Sequence, residues 1–163
     1  MASHIELKVQ PRRDLAVVKF RAQAAEIGQR IGAAFGAVHE YLSQAGVQIQ
    51  GPAVACFTGQ GEFDVAAGFV VPFAVPGDGT VVPAELPACE AAVTTHVGGY
   101  DSLPATYAAI HSWMAAIGRE PAEMMWEEYW SDASTPPERT RTDIIWPVKP
   151  RQPEVGPTPI SST

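Results

Sequence analysis

The apolar positions alternate between two rhythms along the chain. Ile5, Leu7 and Val9 alternate with polar residues until Pro11, and Leu15 to Phe20 reads as a strand. Ile27, Ile31, Phe35, Val38 and Leu42 then recur every three or four residues. That spacing predicts one face of a helix over Ala25 to Ala45, with Gly46 as its C-cap. Ala53 to Thr58 and Asp64 to Phe73 read as strands parted by a turn at Gly59-Gln60-Gly61, and Pro76 to Pro87 reads as a Pro/Gly-rich connector.

The same order returns. Cys89 to Val97 is a β-branched strand followed by the Gly98-Gly99 turn. Leu103, Tyr107, Ile110, Met114 and Ile117 mark a second helix, capped by Asp101 or Ser102 and closed by Gly118, with Pro104 in its first turn. Glu123 to Trp130 and Thr140 to Val148 are the last strands. A strand–helix–strand–strand unit thus appears twice, over about 5–75 and 88–149. This predicts an α+β fold in which residues 1–149 form a single domain. Two such units can join antiparallel strands into one sheet, put both helices on one face and leave a central cleft for a ligand. Residues 150–163, rich in proline and with almost no large apolar residue, read as a disordered tail.

Composition narrows the function classes. The 163 residues are 46% hydrophobic and 18% charged, with a net charge of −7. An acidic chain is a poor partner for a nucleic-acid backbone or an anionic membrane. No apolar run is long enough to span a bilayer, and the N-terminus lacks a signal-peptide core, so the expected compartment is the cytoplasm. Cys56 and Cys89 read as buried free thiols. His4, His39, His96 and His111 show no ligand spacing, so neither a metal nor another cofactor is expected, and His96 reads as a strand-end residue with its hydrogen bonds satisfied. No Lys or Arg occurs between Ile31 and Gly118. A buried acid in this region or close after it therefore has only Arg119, Arg139 and Arg141 as nearby partners in sequence.

One set of residues in the second unit is distinctive: His96-Val97-Gly98-Gly99-Tyr100, Leu103-Pro104 opening a helix with Trp113, Trp126-Glu127-Glu128-Tyr129, Pro136-Pro137-Glu138, and Thr142-Asp143-Ile144 ending at Pro147. It resembles the gyrase-inhibitor-like (GyrI-like) small-molecule-binding domain, which also forms the effector-binding part of AraC-type and MerR-type multidrug-responsive regulators and is related in fold to the SOUL haem-binding proteins. The resemblance covers roughly residues 3–149. It implies a monomer or weak dimer with a hydrophobic pocket, and a glutamate in the Glu-x-Tyr strand that meets lipophilic, often cationic or planar compounds.

Strand alternation puts Met125, Glu127 and Tyr129 on one face and Trp126, Glu128 and Trp130 on the other, without saying which is inward. The resemblance favours Glu127 and leaves Glu128 to solvent. The ligand-contact candidates are Glu127, Tyr129, Tyr100, Trp113, Trp126, Trp146, Phe57 and Phe69. A carboxylate among rings selects charge and hydrophobicity without demanding one shape. The expected function is a stand-alone protein that captures such small molecules. The alternative, also implied by the resemblance, is hydrolysis of cyclopropane-containing DNA-alkylating natural products, with Glu127 and Tyr129 catalytic. A third is a protein-interaction role with gyrase or a regulator, using the acidic stretch 119 to 143. No helix-turn-helix fits before Ile5 or after Pro150, so direct DNA binding is not expected.

Overall fold

A computed structural model describes residues 4–131 and 134–150. Residues 151–163, most of the expected tail, lie outside the described residues.

Eight strands form one antiparallel sheet. They are β1 (Glu6–Gln10), β2 (Arg13–Gln23), β3 (Ala53–Gln60), β4 (Glu62–Val71), β5 (Val82–Leu86), β6 (Cys89–Val97), β7 (Met124–Tyr129) and β8 (Arg141–Pro147). Helix α1 (Ala24–Ala45) follows β2, and α2 (Leu103–Ala116) follows β6. Helix α1 begins where the Gln23 N–H donates to Glu26 Oε1 at 3.1 Å, and ends at Gly46, whose φ of 70° only glycine adopts at little cost.

The spatial order is β1-β6-β8-β7-β3-β4-β2-β5. It reads as two equivalent halves, β1-β6-β8-β7 and β5-β2-β4-β3, joined where β7 pairs with β3. The leading strands are exchanged: β1 precedes β2 in sequence but pairs with β6, and β5 precedes β6 but pairs with β2. The stretch Pro76 to Pro87 is therefore not only a connector. Val82, Ala84 and Leu86 alternate, but Pro83 and Pro87 obscure the strand. Proline fits there because β5 is an edge, where a ladder needs donors on one side only.

Both helices lie over one face. Helix α1 rests on β2 and β4, and α2 on β6. Ala16, Ala55 and Ala67, all fully buried, give the α1 side a low floor. The opposite face is not solvated. The sheet curls so far that Leu15, Val17, Leu86, Ala91, Trp126 and Ile145, drawn from both halves, close into a second core. Gly68 lies in the bend, where a Cβ would stand 1.8 Å from the Ala16 carbonyl oxygen. The Arg13–Glu128 ion pair, at 3.0 Å, joins β2 to β7 diagonally across the two intervening strands. Glu128 is consequently buried and paired inside the curl, not presented to solvent as the sequence suggested.

Candidate functional site

Between the helices, over β3, β7 and β8, lies an open cleft of about 1340 Å³. Its floor is set by register. Glu127 stands opposite Ala55 on β3 and Ile144 on β8, both fully buried aliphatic residues. Met125 and Tyr129 flank it on the same face, as alternation requires. Phe57 and Phe63 come from β3 and β4, Ile27, Ile31 and Phe35 from α1, Tyr107 and His111 from α2, and Trp146 from β8.

Glu127 is only 3% exposed and accepts two phenol hydrogen bonds. Tyr129 donates to Oε1 at 2.7 Å, and Tyr107 donates to Oε2. No basic side chain among the described residues forms an ion pair with it. Arg119 is buried but binds Glu90 at 2.9 Å, Arg141 binds Asp143, and Arg139 is exposed in the loop between β7 and β8. Burial pushes the Glu127 carboxyl above the usual carboxylate range; the two phenols pull the other way, and burial wins. Tyr107 and Tyr129 are raised in turn, first by burial and then by the neighbouring Glu127 charge. The cleft thus holds an acid whose ionised form lacks a counter-charge.

The rings form two groups that meet at Glu127. Phe35 meets Tyr129 edge-on with centroids 5.9 Å apart, and Tyr100 meets Tyr129 at 6.2 Å. Tyr107 and His111 both stand edge-on to Trp146, whose Nε1 donates to the Ala122 carbonyl. Tyr100 sits on a 3-10 turn at the rim and is more than half exposed.

Of the eight sequence-predicted contacts, the cleft gathers Glu127, Tyr129, Tyr100, Trp146 and Phe57. Three are elsewhere. Trp126 is fully buried in the core on the opposite face, because alternation turns it away from Glu127. Trp113 packs into the core between α2 and the sheet. Phe69 packs behind Phe35, their centroids 5.7 Å apart, under the later turns of α1. In the sequence Tyr107 is marked only by its helical period. Its offset of four from Leu103 gave its face but not its partner, which the sheet brings from twenty residues away.

His96 has its expected partners: Thr106 Oγ1 at 2.8 Å on Nδ1, and Ser102 Oγ and the Gly99 carbonyl on Nε2. Cys56 and Cys89 are free and half-buried, the Cys56 thiol pushed up to about 12 by burial. The acidic stretch 119 to 143 is not one docking face, since Glu127 and Glu128 are buried on opposite sides of the sheet and Asp143 binds Arg141. Among the described residues, no group of three acidic, His or Cys side chains could hold a metal, and no helix is long and apolar enough to cross a membrane.

With this geometry in hand, comparison gives a family. Residues 4–149 match the GyrI-like small molecule binding domain. The chain belongs to that family. Solved structures agree on the fold of this GyrI-like domain. The EcmrR C-terminal domain superposes with a TM-score of 0.75 at 19% identity, covering 90% of this chain and 97% of that one. SAV2435 bound to tetraphenylphosphonium gives 0.64 at 14% identity, covering 91% and 95%. A hydrolase from Listeria innocua gives 0.61 at 15% identity, covering 89% and 91%. Among curated proteins, none matches the chain by sequence.

Proposed function

We propose that this GyrI-like domain captures lipophilic cations in the cleft, with Glu127 supplying the counter-charge and the rings supplying the contact area. The observation that carries the reading is the buried Glu127, held by two phenols and paired with no base among the described residues. A cation restores the missing charge beside a carboxyl that is itself buried, and its apolar groups lie on aromatic faces. Binding of tetraphenylphosphonium by SAV2435, a chain of the same fold, supports the ligand class. Rings without a rigid set of donors suit a range of shapes.

Titration of crystal violet, followed by its fluorescence, tests this. Saturable binding is expected, at least tenfold weaker in Glu127→Gln, which is about 1.4 kcal/mol or more. The uncharged leuco form of the dye, nearly the same size, should bind the two proteins alike. Equal affinity of the cation for both proteins would overturn the charge argument.

A second reading is hydrolysis of cyclopropane-containing alkylating compounds. Its specific support is an acid raised above the usual carboxylate range beside two phenols, which suits general acid–base work on an added water. Incubation with such a compound, read by mass spectrometry, should show the gain of one water in wild type and none in Glu127→Gln. Absence of turnover in the wild-type protein would leave binding alone.

A further inference from the structure

Helix α1 is built against its own propensity. Its 22 residues include Gly28, Gly32 and Gly36, spaced by four and so aligned on one side. Glycine is the poorest helix former after proline. It is tolerated inside helices where a neighbour comes too close for a side chain, and no neighbour does so here. A methyl built at any of the three meets no atom within 4 Å. The sheet contacts of α1 are made by other positions, Ala34, Val38 and Leu42. No packing contact among the described residues accounts for the bare surface.

The cleft does. Gly28 and Gly32 line it beside Ile27, Ile31 and Phe35, while Gly36, one turn on, does not. At about 1340 Å³ the cleft is larger than the roughly 300–1,000 Å³ of common ligand pockets. The same cleft holds Glu127, buried and with no basic partner among the described residues, so a ligand is expected there on independent grounds. We infer that Gly28 and Gly32 are specificity-determining residues: they keep the α1 wall bare so that the broad, multi-ring face of a cation seated at Glu127 lies flat on the helix. This rests on the cation-binding reading and adds the size class of the ligand. Side chains at these positions would project into the cleft and exclude broad ligands while leaving room for narrow ones.

The test compares crystal violet, with three rings, and benzyltrimethylammonium, with one, by calorimetric titration of Gly28→Ala/Gly32→Ala, Gly32→Leu and Gly36→Ala. The double alanine variant should melt several degrees higher, because alanine favours the helix and nothing obstructs it. Its crystal violet affinity should fall about tenfold, and that of Gly32→Leu further, while benzyltrimethylammonium stays within about twofold in both. Gly36→Ala gains helix propensity outside the cleft and should change neither affinity. Equal losses for both cations, or a loss in Gly36→Ala matching the double variant, would assign the effect to helix stiffness and overturn the inference. So would unchanged crystal violet affinity in Gly32→Leu, or a shift in oligomeric state, which would make the glycine row a self-association surface. Wild-type protein that binds neither cation would fail the cation reading itself and this inference with it, a result distinct from size-blind binding.

Discussion

Glu127 favours its proton in the folded protein because burial among Ala55 and Ile144 outweighs two phenol hydrogen bonds. A carboxyl raised on folding binds protons more readily folded than unfolded. Its stabilising contribution is full below the ordinary value of 4.5 and is lost as pH rises through the folded value. Glu127→Gln should therefore be more stable than wild type at pH 7 and lose that advantage below about pH 4.5, as urea unfolding at both pH values would show. Higher stability with weaker cation binding is the pattern expected of a residue kept for function. Removing a donor acts the other way on the proton. Tyr107→Phe should raise the Glu127 carboxyl further and move the onset of cation binding to higher pH, read from crystal violet titrations across pH. Unchanged onset would mean that Tyr129 alone sets the charge. The Glu127–Tyr129 pair was legible because strand alternation is local and the Glu-x-Tyr element is distinctive. Tyr107 was not, since its meeting with Glu127 is made by the packing of α2 on the sheet. Aromatic character alone points Trp126 to the pocket, but alternation places it opposite Glu127, in the core.

Where the period is clean the elements follow it: both helices and six of the strands fall where apolar spacing puts them, and β1 follows the Ile5-Leu7-Val9 alternation. What one-dimensional pattern does not carry is the curl of the sheet. The curl gives the face opposite the helices its own apolar core, so β7 has an acid buried on each side and no solvent face for Glu128. Arg13, far away in sequence, becomes its partner. Arg13→Met leaves Glu128 buried without a counter-charge and should cost about 2 kcal/mol. That is below the ~3–5 kcal/mol of a fully buried pair, because a quarter of the Arg13 side chain keeps contact with water. Adding Glu128→Gln should recover most of the loss, and a double-mutant cycle by denaturant unfolding checks it. Additive losses would show that the pair does not hold the curl.

For the molecule as a whole, the exchanged leading strands and the equivalent halves explain why the cleft draws on Phe35, Phe57, Tyr107, Glu127 and Trp146, residues scattered over more than half the chain. The net charge of −7 has a location within this frame. Glu123 and Glu127 line the cleft, and Lys149 is the one Lys or Arg among the lining residues. Lys149 is exposed at the mouth and loosely paired with Glu120 at 3.8 Å. An acidic mouth draws cations in, and a lone lysine opposes that field over about one Debye length, ~30 Å at 0.01 M salt but only ~3 Å at 1 M. Lys149→Glu should thus speed crystal violet association by roughly two- to fivefold at about 0.01 M salt, measured by stopped flow, and the gain should vanish near 0.5 M. The leuco dye should associate at the same rate with both proteins at every salt concentration. A faster rate for the neutral dye as well would mean that Lys149 obstructs the mouth by its bulk, and that the field of the acids has no part in loading the cleft.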